Sequence, residues 1–370
     1  MRFPGASGYN GSHFAFFRVA SAGMKLHPCH ITLCLFAALL LQAPARAQEA
    51  AALPDGLDAS VLRATEYLAK LQNPDGSFGA GDYKVAVSGL SVMAFLACGH
   101  TPGAGRYGLV VRGGVDFILS QSQPDGYYGK SHAKGMYDQG IVTLALAEAY
   151  GVEPDESRRQ RMHAELTRAV KVILDAQAIP KADKDAGGWR YARDARDSDL
   201  SLSGWNALAL RAAQDAGVEV PKEAVQKAMG FVLRCYNPTD KGFSYQPGGA
   251  GQLGPTGIGL LGLYLLDGAA PAISARPELT DAAKFLVDHP VNDATPFQYY
   301  AMYYVTQAAR QAGGETWAAA FKAASTRLLA SQAKDGSWPK QGEEPGEAYA
   351  TSMAVLTLTV PYGLLPVYQR

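Results

Sequence analysis

The chain has 370 residues, 48% hydrophobic and 18% charged, with 34 basic side chains against 34 acidic ones. That length and apolar fraction are ample for a large core, and the four cysteines are too few for a disulfide scaffold. Zero formal charge argues against a nucleic-acid binder, which needs a clustered basic surface.

Residues 1–23 contain no acid and no regular apolar period, and read as an extended or mis-assigned leader upstream of Met24. From Met24, a basic start at Lys25 leads into the apolar run Ile31–Leu41, followed by small residues at Ala45 and Ala47. Residues 24–47 therefore read as a signal peptide, with a mature start near Gln48 and a periplasmic or secreted product. The apolar run would make about 16 Å of helix, roughly half a bilayer's hydrocarbon thickness, so a membrane span is not expected. The mature chain keeps 30 basic and 34 acidic residues and two cysteines, Cys98 and Cys235.

A turn then recurs along the chain. It appears as Gln72, Asp75, Gly76 and Phe78, and again as Gln123, Asp125, Gly126 and Tyr128. Looser copies are Asp185, Gly188, Trp189 and Tyr191, then Gly242, Phe243 and Tyr245; the last is Gln332, Asp335, Gly336 and Trp338. The glycine intervals are 50, 62, 54 and 94, which predicts one degenerate copy near residue 290, where His289, Pro290, Asn292 and Asp293 supply turn residues.

Segments before the turns are amphipathic at helical spacing, as in Val61–Leu71, Leu166–Leu174 and Val225–Leu233. Those after them are apolar nearly all round: Val85–Ala97, Ile141–Ala149, Leu200–Ala213, Ile258–Leu266, Phe297–Ala309 and Met353–Val360. A helix apolar on every side is buried on every side. Six pairs of one half-exposed and one buried helix predict an all-α (α/α)6 toroid over residues 58–362. Cys98 and Cys235 then fall in opposite pairs, too far apart to bridge. In the turn, Asp is expected to cap the next helix, Gly to take φ > 0, and Gln to satisfy free backbone groups.

The spacing Gln-x-x-Asp-Gly-x-Trp, complete at Gln332, Asp335, Gly336 and Trp338, resembles the QW repeat of squalene-hopene and oxidosqualene cyclases. Protein prenyltransferase β subunits share related turns, and one-barrel chains of this kind are similar to exported prenyltransferase/squalene oxidase repeat proteins. The resemblance implies the toroid fold and a cavity for an apolar isoprenoid or lipid-like ligand, with peripheral membrane contact compatible with it. It also implies protonation-initiated (class II) cyclisation by an Asp-x-Asp-Asp motif. Asp197 and Asp199 match its first and middle positions, the middle being the family's proton donor, while Leu200 replaces the last acid. Capping of the following helix is the alternative role for both aspartates.

Such chemistry needs aromatic faces around carbocations. Tyr299 with Tyr303, and Tyr300 with Tyr304, share helix faces at i, i+4; Trp205, Tyr264, Tyr83 and Tyr349 are further cavity candidates. Asp138 opens a buried helix as a cap or a cavity acid, and His132 lies in the loop before it. No metal site or cofactor is expected, since neither Cys98 nor Cys235 has the prenyltransferase zinc spacing. Two other functions fit the same architecture: a non-catalytic binding or scaffold toroid, and a carbohydrate-active (α/α)6 enzyme with Asp138 and Asp199 as its paired carboxylates.

Overall fold

A computed structural model describes residues 53–129, 133–266, 276–342 and 344–369. Residues 1–52, on which the leader and signal-peptide readings fall, and His132 lie outside the described residues. Twelve helices run through the described chain, all within the unit Gln48–Arg370. They are α1 (Leu57–Leu71), α2 (Lys84–Ala97), α3 (Gly108–Gln121), α4 (Met136–Tyr150), α5 (Glu156–Ala178) and α6 (Leu200–Asp215). The second half adds α7 (Lys222–Arg234), α8 (Leu253–Leu266), α9 (Pro277–Asp288), α10 (Gln298–Ala312), α11 (Gly314–Ser331) and α12 (Glu347–Leu358).

The even-numbered helices form the inner layer. Each packs on the next, and α12 packs back on α2, which closes the ring. Every residue of α2 from Val85 to Ala97 is buried, whereas α1 buries one stripe, Leu57, Val61, Ala64 and Leu68 among it. The uniform apolar pattern of one layer and the 3.6-residue period of the other thus follow from position in the ring. Close approach of inner helices uses small residues: a Cβ on Gly204 would meet Ile258 at 2.6 Å, and one on Gly257 the Val305 amide at 2.8 Å.

The turns stitch each pair to the next. Gln72 Nε2 donates to the Gly76 carbonyl (2.9 Å) and to the Val110 carbonyl on α3 (2.8 Å). Gln332 does the same across the seam, reaching Gly336 (3.0 Å) and Ser60 on α1 (2.9 Å). Gln177, which sequence spacing had not assigned to the third turn, reaches Gly187 (2.8 Å) and Ala224 on α7 (2.9 Å). The left-handed glycine of that turn is Gly187, not Gly188. Asp75 and Asp335 accept from the amides of Ser77 and Ser337, so they close their own turns rather than cap the following helix.

The turn aromatics Phe78, Tyr128, Trp189, Phe243 and Trp338 are fully buried. Each donates its backbone N–H to a side chain of its inner helix: Ser88, Gln139, Ser203, Thr256 and Thr351, at 2.9–3.1 Å. The fourth turn departs from the others, being a two-stranded hairpin of β1 (Tyr236–Asn237) and β2 (Gly242–Phe243). The expected degenerate copy near 290 is a loop in which Asn292 Oδ1 accepts from the Ala294 amide (2.9 Å). Cys98 and Cys235 are both free.

Ring closure makes a prediction. Gly336 has φ +97°, and a Cβ there would meet the Arg63 carbonyl at 2.3 Å; Gly363, at φ +62°, has open space around it. Gly336→Ala should cost about 3 kcal/mol or more, and Gly363→Ala about 1 kcal/mol, in thermal or urea unfolding. Equal losses would show that the seam does not depend on this approach.

Candidate functional site

A cavity of about 630 Å³ lies inside the ring. Its wall is built from the first turns of the inner helices and the segments leading into them: Ala86, Val87 and Leu90 of α2, Tyr137 and Ile141 of α4, Ser201 and Trp205 of α6, Leu253–Pro255 of α8, and Tyr300 of α10. Tyr191 and Tyr245 come from the third and fourth turns, Tyr83 and Phe297 from the residues before α2 and α10, and Glu344 and Tyr349 from the approach to and start of α12. The surface is therefore aliphatic and aromatic, carrying tyrosine hydroxyls. Its charged members among the described residues are Lys134 and Glu344.

The floor is an aromatic stack. Trp205 lies parallel to Tyr303 at 5.5 Å and meets Tyr304 edge-on at 5.2 Å, while Tyr300 packs against Tyr304 at 5.0 Å. Beneath it the C-terminal segment crosses the ring. Tyr303 and Tyr368 share a hydroxyl hydrogen bond, and Arg211 donates to the carbonyls of Val367 (3.1 Å) and Gln369 (3.0 Å).

The tyrosine-rich helix α10 thus divides its side chains. Tyr300 is in the wall; Tyr303 and Tyr304 lie below the floor's Trp205, and Tyr299 donates to the Pro339 carbonyl (3.0 Å), away from the lumen. Of the other candidates, Trp205, Tyr83 and Tyr349 line the cavity, while Tyr264 sits near the end of α8, outside the wall. Asp138 is also outside it. Its Oδ1 accepts from the Ala86 amide (3.0 Å), so it satisfies an orphan N–H in the first turn of the neighbouring inner helix α2.

Asp199 is fully buried at the N-cap of α6, with Oδ1 accepting from the Leu202 amide (2.9 Å) and Oδ2 from Arg190 Nη1 (2.5 Å). Arg190 Nε reaches Asp197 at 3.1 Å, so a guanidinium stands between the two aspartates and they share no proton. Burial pushes the Asp199 pKa above the ordinary carboxylate value, and the Leu202 amide and Arg190 pull it back. Both oxygens accept from N–H donors, the arrangement of an ionised carboxylate. Arg190 also donates to the Tyr245 hydroxyl (2.5 Å), which bonds the Tyr191 hydroxyl (2.6 Å), and its guanidinium lies 4.2 Å from the Tyr191 ring centre. The aspartate pair therefore braces the cavity wall from behind, and neither aspartate lines it.

Glu344 is the acid that sequence reading missed. It lies in an irregular loop with no period to betray burial, yet it is 4% exposed and faces the cavity. Oε2 receives a long 3.4 Å contact from the Gln341 amide, and Oε1 has no partner. Burial lifts its pKa to about 7, opposed by the Gln341 and Tyr299 amides and by Lys340. Among the described residues, no cluster of His, Cys, Asp and Glu could hold a metal ion, and no helix is long and apolar enough to cross a membrane.

No family model matches the chain. It is 26% identical over 204 residues to drimenyl diphosphate synthase of Streptomyces showdoensis, which covers 54% of this chain and about a third (35%) of that protein. Among solved structures, the GH76A α-1,6-mannanase of Salegentibacter sp. HEL1_6 superposes with a TM-score of 0.63 at 10% identity, covering 83% of this chain and 99% of that one. Cellobiose 2-epimerase from Bacillus thermoamylovorans gives 0.60 at 11%, covering 82% and 98%. The type II terpene cyclase MstE from Scytonema gives 0.52 at 16%, covering 84% and 100%. The chain has an α/α-toroid fold. Since a mannanase, an epimerase and a cyclase share this architecture, the fold alone does not choose a reaction.

Proposed function

We propose that this protein, exported to the periplasm or beyond, binds an apolar isoprenoid or lipid-like molecule in its central cavity. The observation that carries the reading is the wall: ring faces and aliphatic side chains surround a volume sized for such a chain, with one carboxyl group among its described residues. Aromatic faces around a cavity also suit carbocation chemistry, so protonation-initiated cyclisation is the activity to look for. A carbohydrate-active reading draws on the same fold. It requires two carboxylates about 5–10 Å apart, and the described wall holds Glu344 alone.

The test is a thermal-shift titration of the purified protein with squalene, geranylgeraniol and mannotriose, read beside mass spectrometry of its organic extract. An isoprenoid present at a hundred times its Kd should stabilise by about 2.7 kcal/mol, about 5 °C in a domain of this size. A shift with mannotriose and none with either isoprenoid would replace this reading with the carbohydrate one. Cyclised products in the squalene incubation would add catalysis to binding.

A further inference from the structure

We propose that Glu344 anchors the ligand, taking the single hydroxyl group of an otherwise apolar isoprenoid or lipid-like alcohol. The inference rests on the ligand-binding reading above and adds the chemistry of the ligand's polar end. Glu344 lines the cavity, is almost wholly buried, and presents an Oε1 with no hydrogen-bond partner. The carboxyl is weakly held otherwise: Oε2 has a long 3.4 Å contact from the Gln341 amide, and the Tyr299 amide also faces the group. A buried carboxyl oxygen without a partner is costly, and such groups in folded proteins are normally satisfied. Oε1 has almost no exposed surface as the side chain stands, so a turn of the carboxyl about its last torsion, which is soft, brings it to the ligand hydroxyl in the cavity.

The surroundings select among polar groups. Near neutral pH Glu344 passes between its two protonation states, because burial holds its pKa at about 7. An ammonium would pair with the carboxylate alone. It would also share the cavity with Lys134, which lies 5.4 Å from the Tyr191 ring centre, and with Arg190 behind that ring. A carbonyl can bond only to the protonated acid. A hydroxyl donates to the carboxylate and accepts from the acid, so it satisfies both states. The remaining wall, chiefly Trp205, Tyr300, Tyr349 and Leu90, offers contact to a hydrocarbon chain.

The experiment measures binding of farnesol and of its hydrocarbon counterpart farnesene by quenching of tryptophan fluorescence, Trp205 being in the wall. The unaltered protein should bind farnesol about tenfold more tightly, the worth of one hydrogen bond to a buried charged or acidic group. Glu344→Leu should bring the two affinities together while leaving farnesene binding within about threefold, and Glu344→Gln, which can still donate and accept, should keep most of the preference. Retained farnesene binding in both variants serves as the check on folding. Equal affinities in the unaltered protein, or a farnesol preference that survives in Glu344→Leu, would overturn the anchor while leaving the apolar cavity standing. Binding of neither probe would overturn both.

Discussion

Arg190→Met is expected to destabilise the protein by about 3–5 kcal/mol, because it leaves the fully buried Asp199 carboxylate without its charge partner. For a domain of this size that is a fall in melting temperature of about 6–10 °C. The loss should depend on pH. With the guanidinium gone, the burial that already raises Asp199 is opposed by the Leu202 amide and the Tyr245 hydroxyl, without the charge of Arg190. The folded-state pKa, already above the unfolded one, then climbs further, so the variant's deficit should shrink below about pH 4, where both states carry the proton, and grow as pH rises. Asp199→Asn should cost a similar amount, since an amide nitrogen cannot accept from Arg190. The double variant should be less unstable than the two losses added together. Strict additivity would show that the pair is not coupled, and a stable Arg190→Met would remove the structural role assigned to it.

The same pair explains how far the candidate site was legible in the sequence. Asp197 and Asp199 were visible as two acids before a buried helix, but their partner, Arg190, lies in the preceding turn, and no spacing rule connects the two. The layers were legible because burial on every side and burial on one side leave different apolar patterns, and the Gln-Asp-Gly turns recur with enough regularity to count pairs. Where the turn chemistry changed, as in the β1–β2 hairpin, a loose copy concealed a different local structure. The rotation of α10 was not legible for a physical reason. An inner helix is buried all round, so four tyrosines at two i, i+4 spacings mark two faces and say nothing of which one meets the lumen; packing of Trp205 against Tyr303 and Tyr304 settles it for Tyr300. Glu344 escaped notice because an acid between Gly342 and Pro345 reads as a solvated loop, and the cavity wall it joins is made of residues distant in sequence.

Glu148→Gln should make the protein more stable above neutral pH and change its stability little near pH 5. Glu148 sits near the end of α4, where Oε1 accepts from the Val367 amide (3.1 Å) of the C-terminal segment and Oε2 has no partner. Burial is the main cause that lifts its pKa from 4.5 to about 8, with Asp215 adding to the shift and the Val367 amide opposing it. The folded-state value is above the unfolded one, so the folded protein holds a proton that the unfolded chain has already released between those pH values. Stability is therefore highest below about pH 4.5, declines as pH rises toward 8, and is level beyond it. The decline is on the order of 3–5 kcal/mol for Glu148. Glu344 contributes in the same direction up to about pH 7, by less because its carboxyl is less deeply desolvated. Because the group that titrates holds the segment crossing the ring beneath Tyr303, the loss should be local first. Amides from Leu365 to Gln369 should exchange faster with solvent at pH 8 than at pH 6 after correction for intrinsic rates, and Glu148→Gln should abolish that difference. Melting curves of the variant and the unaltered protein that run parallel from pH 5 to 9 would show that the glutamate's proton takes no part in holding the C-terminal segment.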